Sequence, residues 1–471
     1  MNANSITVGI RTATRTWSAI LALILATLVM GLHPSIARAS CSSPANAIEA
    51  ENCLPGTNSS VWTVDGSGDP TIQGFTTAMS VNAGQTISFK INTTARAYTI
   101  QIFRLGYYAG NGARNVANIN PSATLPQSQP ACRTDPTTDL YDCGTWAVSA
   151  SWAVPSTAVS GLYLALLTRT DTGGQSQIWF VVRNDAVNSD IVFQTSDETW
   201  QAYNPYGGNS LYGPNGTFDL TNRAYKVSYN RPLTTLDLED ESFPLYAEYP
   251  MIRWLEANAY SVTYLSSVDA ATSGSLLLNH KIYLSVGHDE YVSGPKRTNV
   301  QAARDAGVSL AFFSGNEFFW KTRWENSIDG SSTPNRTLVC YKETLGPNSN
   351  PVATAAVDPD DPPTWTGTWR DPTKSPPADG GKPENALTGT LFMVNGPATD
   401  NPGNLSIKVP AADGKMRFWR NTSIANLSAG QTSTLPAGTL GYEWDADIDN
   451  GARPAGLFDL STATYTMTAD L

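Results

Sequence analysis

Positive charge is what this sequence is shortest of. Thirty Lys and Arg stand against 41 Asp and Glu, a formal net charge of −11. A chain so acidic offers no basic face, which excludes nucleic acid and anionic lipid as partners, since clustered cations hold both. Long apolar runs are also scarce: after Met30 no stretch is long enough to cross a membrane. Histidine is scarcer still, limited to His33, His280 and His288. No His follows residue 288, so a nucleophile there would lack the later His that a hydrolase triad requires. Helical periodicity of useful length is missing between about residues 54 and 186, and no internal repeat is evident.

What is present begins with an export signal. Arg11 and Arg15 precede the apolar stretch from Trp17 to Met30, and Ala37-Arg38-Ala39 supplies a small-x-small cleavage pattern. Residues 1–39 are therefore expected to be a secretory signal peptide, removed from a secreted product. Cleavage takes away three arginines and no acid, leaving 27 basic against 41 acidic side chains, a net charge of −14. The remaining length predicts two or three domains, each able to bury a core. All five cysteines remain. Cys41 with Cys53 and Cys132 with Cys143 have the spacing of small-loop disulfides, which an oxidising compartment permits, and Cys340 is left as a buried free thiol.

From about residue 54 to 186 the chain reads as β. "TISFKINT" (86–93), "YTIQIFRLG" (98–106), "GLYLALLTRT" (161–170) and "QIWFVVRN" (177–184) alternate apolar and polar residues between Gly, Pro, Asn and Asp. A β-sandwich over 40–186 is the expectation. After Asn184 the pattern changes. Strands "DIVFQTS" (190–196), "SVTYLSS" (261–267), "KIYLSV" (281–286) and "VSLAFFSG" (308–315) alternate with helical stripes at 243–258 and 295–306. Strand and helix in turn predict a parallel sheet with crossover helices. The segment 335–471 returns to short β stretches. Within it "VDPDDPPTWTGTWRDPTKSPP" (357–377) reads as a surface loop or lid, too polar to pack.

In a parallel sheet, ligands bind beyond the carboxyl ends of the strands. Three such ends carry the conspicuous side chains: "DETWQAYNPYGGNSLY" (197–212), "GHDEY" (287–291) and "SGNEFFWKTRWE" (314–325). Gly287 with His288, Asp289 and Glu290 has the layout of a nucleophile elbow, but no Ser or Cys stands at its apex. Carboxylates, phenols, an amide and one imidazole remain. That set suits a hard cation: two phenolates and a carboxylate would neutralise a ferric ion and leave positions open for water and substrate. Each tyrosine also has a plainer reading, packed on the core with its hydroxyl at the rim.

Together "TWQAYNPYGG" (199–208), "NRPL" (230–233), "GHDEY", "SGNEFFW" (314–320) and "LGYEWD" (440–445) resemble the C-terminal domain of the N,N-dimethylformamidase large (beta) subunit family. "FRLGYYAGNGAR" (103–114) is similar to the sandwich that precedes that domain in secreted relatives. The resemblance implies an α+β multidomain chain. Its N-terminal β-sandwich would lead into an α/β domain over 187–471, of glutamine-amidotransferase-like or flavodoxin-like layout, with β-rich insertions at 335–471. It implies a metal-dependent hydrolase of amide or related C–N bonds with Fe(3+) as cofactor. Tyr203 and Glu290 fit its first tyrosine and its glutamate as ligands, His288 and Asn316 its outer His and Asn, and Glu443 an acidic residue closing the pocket. Tyr212 is the choice for the second tyrosine, with Tyr206, Tyr225 and Tyr229 as substitutes because the family spaces its two tyrosines further apart. The partner expected is a small-molecule substrate; a small partner subunit stays open. Two other readings compete. One is an extracellular carbohydrate-binding protein stacking sugars on Trp200, Trp365 and Trp369. The other is a glycoside hydrolase pairing Glu290 with Glu317 or Glu443, which would need carboxylates roughly 5–9.5 Å apart.

Overall fold

The computed structural model describes residues 41–219, 221–237, 242–343, 358–360, 364–372, 381–395, 405–441 and 443–464. The expected signal peptide lies outside them. Among the described residues no helix is long and apolar enough to cross a membrane.

The chain is α+β with many sheets and few helices. Its first part forms a five-stranded sheet, in the order Ser80–Asn82, Gln175–Arg183, Gly161–Arg169, Tyr98–Leu105, Ala113–Ile119, and a three-stranded one, Ile72–Thr76, Thr86–Thr93, Ala150–Ala153. The alternating pattern does what it should. Ile87, Phe89 and Ile91 of one sheet share a core cluster with Ile100, Ile102, Tyr163 and Phe180 of the other. Cys41–Cys53 and Cys132–Cys143 are both bonded and Cys340 is a buried thiol, which fits an oxidising compartment.

The second part contains four strands in the order Val262–Leu265, Ile191–Gln194, Ile282–Gly287, Ser309–Ser314. Every pair is parallel. Ile191–Gln194 and Val262–Leu265 are buried throughout, as strands covered on both faces must be. The connecting helices start on legible signals. Ser266 and Asp269 close a capping box, and Ser293 accepts from the Lys296 amide ahead of Pro295. The stripe at 243–258 divides into Pro244–Ala247 and Tyr249–Ala257 at Glu248.

Two elements were not read from the sequence, and one expectation needs correction. The segment after the first parallel strand is a helix, Asp197–Tyr203, with all seven residues buried. After Glu290 the chain enters another strand, Tyr291–Ser293, before the helix Gly294–Asp305. That strand closes a second sheet in the order Lys226–Ser228, Thr337–Val339, Trp320–Glu325, Tyr291–Ser293. Finally, residues 365–369 of the supposed lid are core. Lys321 N donates to Gly367 O at 2.8 Å and Trp369 N to Phe319 O at 3.1 Å, so the segment is pinned along that sheet. Trp365 and Trp369 are buried, with Lys321 over both rings and Arg297 over the second. Composition misled because the two tryptophans outweigh the Pro and Asp around them.

One apolar cluster runs across the boundary expected near residue 187, from Phe103, Leu164 and Trp179 to Phe193, Tyr264 and Leu284. At the seam Arg104, fully buried, donates to both oxygens of fully buried Glu256 at 2.9 and 2.8 Å. A second buried carboxyl, Glu248, accepts from Ser196 N and Trp200 Nε1, both at 2.9 Å, through one oxygen. Its other oxygen is buried without a hydrogen-bond partner among the described residues, and burial pushes the carboxyl up to about 8.

Two outcomes follow. Glu256→Ala leaves the Arg104 guanidinium buried and uncompensated, and should cost about 3–5 kcal/mol in chemical denaturation. Glu248 is held neutral in the folded chain, so its contribution to stability is fully present below the unfolded carboxyl range near 4.5 and is lost as pH rises toward about 8. Glu248→Gln should remove a slope of up to about 1.4 kcal/mol per pH unit in that window. A difference from the parent protein that is constant between pH 5 and 8 would refute the assignment.

Candidate active site

The carboxyl ends of the parallel strands share one edge, and each delivers a polar side chain to it. Ile191–Gln194 leads into the helix that ends with Tyr203. Ile282–Gly287 leads into His288 and Glu290, and Ser309–Ser314 into Asn316. The turns that make this possible are exacting. Gly287 sits at φ +93°, and a Cβ there would stand 2.9 Å from that of Ala247. Asn316 and Phe318 have φ of +54° and +58°. Asn tolerates that region and Phe does not. Phe318 is held there by its amide bond to Asp289 O at 3.0 Å and by its ring packed edge-on against Phe312.

Glu290 is the hub, 3% exposed. Tyr212 donates its hydroxyl at 2.8 Å to either carboxylate oxygen, and Tyr203 donates to Oε2 at 3.1 Å. Trp320 Nε1 donates to Oε1 at 2.8 Å. The two tyrosine rings stack at 4.1 Å. Burial pushes the Glu290 carboxyl up, with His288 and Lys342 pulling against it. Burial, then the Glu290 charge, lifts the Tyr212 phenol well above its ordinary range. Lys342 lies 3.5 Å from the centre of the Tyr212 ring, and burial brings its ammonium down to about 7 against the pull of Glu290.

His288 stands beside this cluster. Its Nε2 is 3.6 Å from Glu290 Oε2 and 2.9 Å from Glu443 Oε2, and its Nδ1 is 3.1 Å from Ser242 Oγ. Asn316 Nδ2 donates to Glu443 Oε2 at 3.4 Å, while its Oδ1 is buried with no hydrogen-bond partner among the described residues. Asp445 accepts from the amides of Asn316 and Glu317 at 2.9 and 3.3 Å. Burial first, then Glu384, lifts its carboxyl to about 7. The strand Glu443–Ala446 is thus tied down over the Asn316 turn, and it fits because residue 315 is glycine. A Cβ at Gly315 would overlap the Glu443 carbonyl oxygen.

The structure brings Tyr203, Tyr212, Glu290, His288, Asn316 and Glu443 to one place. The substitute tyrosines go elsewhere: Tyr206 packs edge-on to Tyr141, Tyr225 stacks on Tyr341, and Tyr229 donates to Asp197 Oδ2 at 3.0 Å. Glu317 turns away to accept from Ser285 Oγ at 3.0 Å. Trp200 is 1% exposed and donates to Glu248, so it offers no face to a sugar, and neither do Trp365 and Trp369. Reading the sequence missed Lys342, Trp320, Ser242 and Asp445. A lysine directly after the apolar "TLVCY" (337–341) is a signal of burial that was there to use; nothing local marks Ser242.

The donor chemistry suits a hard cation. Oxygens 2.8 and 3.1 Å apart match the separation, about 2.8 Å, of adjacent ligands each about 2 Å from one ion. Among the described residues no group of three or more His, Cys, Asp or Glu could hold a metal. Tyr203, Tyr212 and Glu290 are a set of different composition.

The class of protein defined here is an α+β chain whose buried phenol–carboxylate cluster lies at the carboxyl edge of a parallel sheet. The family described as "N,N-dimethylformamidase beta subunit-like, C-terminal" matches residues 99–470, and the chain belongs to it. Membership suggests an amidohydrolase. No curated protein matches. Among solved structures, an AA10 lytic polysaccharide monooxygenase from Streptomyces lividans is 18% identical over 22% of this chain and 58% of that one, with a TM-score of 0.15. The chain thus spans little more than half the length of that protein, and so slight a likeness says nothing of activity.

Gly315→Ala should push the 443–446 strand off the turn. Hydrogen exchange at the Asn316 and Glu317 amides should then quicken about tenfold or more, while the Phe318 amide, bonded to Asp289, keeps its protection. Unchanged exchange at all three would show that the strand does not depend on this contact.

Proposed function

We propose that the chain is a secreted hydrolase of amide or related C–N bonds that uses ferric iron held by Tyr203, Tyr212 and Glu290. In this reading residues 1–39 are a signal peptide, 40–186 a β-sandwich, and 187–471 an α/β catalytic unit of glutamine-amidotransferase-like layout. The carrying observation is the convergence of two buried phenols on one buried carboxylate. Deprotonating the Tyr212 phenol in this setting is costly because burial and Glu290 oppose it, so a cation must offset its charge. When bound there, ferric iron supplies Lewis acidity toward an amide carbonyl.

The chain's own residues do the rest. His288, held by Ser242 at Nδ1 and by Glu443 at Nε2, keeps its imidazole oriented and moves a proton between water and the leaving nitrogen. Glu443 balances the charge that His288 then carries. Asn316, fixed by its bond to Glu443, turns a buried amide oxygen free to accept an N–H of substrate or water. Lys342 faces Tyr212 as a cation over its ring, favouring the phenolate. The substrate is a small molecule, and the acidic surface keeps nucleic acid and anionic lipid away.

Two variants separate these roles. Glu290→Gln should abolish metal retention, measured by elemental analysis and by loss of tyrosinate-to-iron absorbance, since it removes one of the charges offsetting the cation. His288→Ala should retain the metal and lose amide hydrolysis by about 100-fold or more. The reverse ordering, with metal lost in His288→Ala and kept in Glu290→Gln, would make His288 the ligand and overturn the assignment.

A further inference from the structure

A cavity of about 420 Å³ opens at the sheet edge and reaches the site, with His288 and Glu443 in its wall. Four further wall residues are large and apolar in body: Tyr246, Phe313, Leu440 and Trp444. Tyr246 and Phe313 are 56% and 55% exposed, so both rings are open to a ligand at this wall. They come from different elements, Tyr246 from the short helix Pro244–Ala247 and Phe313 from the end of the strand Ser309–Ser314. Among the described residues no Lys or Arg lines the cavity, and Glu443 does. An anionic ligand is therefore disfavoured.

Size points the same way. A cavity of this volume falls within the roughly 300–1,000 Å³ of sites for ligands many times larger than a dialkylformamide, and such sites are lined by aromatic side chains with a few polar groups at one end. We propose that this cavity is a substituent subsite, and that the substrate is an uncharged amide bearing an aromatic or comparably bulky apolar group, with Tyr246 and Phe313 as its specificity determinants. The proposal rests on the hydrolase reading for the identity of the reacting group, and on the cavity alone for the shape and polarity of the substituent. The amide is placed at His288 and Glu443, and the ring lies between Tyr246 and Phe313, where burying its faces supplies binding that a small formamide cannot obtain.

Binding and turnover are measured separately on the metal-loaded protein, with acetanilide as the aromatic neutral amide and N,N-dimethylformamide as the small one. Calorimetry should find acetanilide bound at least tenfold tighter than dimethylformamide. Phe313→Ala and Tyr246→Ala should each weaken acetanilide about five- to tenfold and leave dimethylformamide unchanged. Both side chains are more than half exposed, so the variants should melt with the parent protein, which thermal denaturation checks. Acetanilide bound in this pattern but never hydrolysed would keep the subsite and refute the hydrolase reading. Equal binding of the two amides, or binding of acetanilide indifferent to both substitutions, would overturn the subsite whether or not either amide is cleaved.

Discussion

Glu290 is a carboxylate taken out of water, and the architecture around the site follows from keeping it satisfied. A desolvated carboxylate is tolerated only when donors surround it. Here two phenols and an indole N–H converge on it, and a lysine and an imidazole stand nearby. Apart from His288, which shares its turn, none of these partners is near Glu290 in sequence. Tyr203 closes one helix, Tyr212 follows it on a loop, Trp320 begins the strand beside Tyr291, and Lys342 lies beyond Val339 on the next strand of that sheet. The hub can exist only if the parallel sheet and the second sheet are both in register.

The same economy holds lower in the molecule. The first two sheets do not merely precede the rest. The other face of the five-stranded sheet shares one apolar cluster with the parallel sheet, and Arg104 with Glu256 seals the seam. A buried ion pair of this kind does more to fix one docking geometry than to add stability, because either partner alone would be expelled. The orientation of the sheet edge, and hence of the site, is set partly from 150 residues upstream.

Burial also decides what the aromatic residues can do. Exposed tryptophans would have favoured a sugar-binding face. Trp200, Trp365 and Trp369 instead fill the interior, and two of the exposed rings, Tyr246 and Phe313, lie beside His288 and Glu443. The chemistry and the apolar surface therefore meet at one opening, which is the arrangement a site needs if binding energy is to position a reacting bond.

Much was legible in the sequence, for a physical reason: whatever is set by nearest neighbours along the chain can be read from one strand of text. The alternation of 86–93 and 161–170, the apolar run at 191–193, the two short-loop cysteine pairs and the placing of His288, Glu290 and Asn316 at strand ends are all local. So is the acidity that excludes polyanionic partners. What the fold alone decided depends on contacts between distant segments. Spacing could not say that Tyr212, rather than Tyr206, Tyr225 or Tyr229, would bring its hydroxyl to Glu290. Nor could it show that Lys342 would lie on the Tyr212 ring, or that Gly315 would admit the 443–446 strand over Asn316. The Pro- and Asp-rich segment was misread because its composition is polar, whereas its fate was set by two tryptophans and by backbone pairing to a strand nearly fifty residues earlier. Sequence determines what each segment can offer; only tertiary packing, by choosing which groups lose their water together, determines which of those offers become a site.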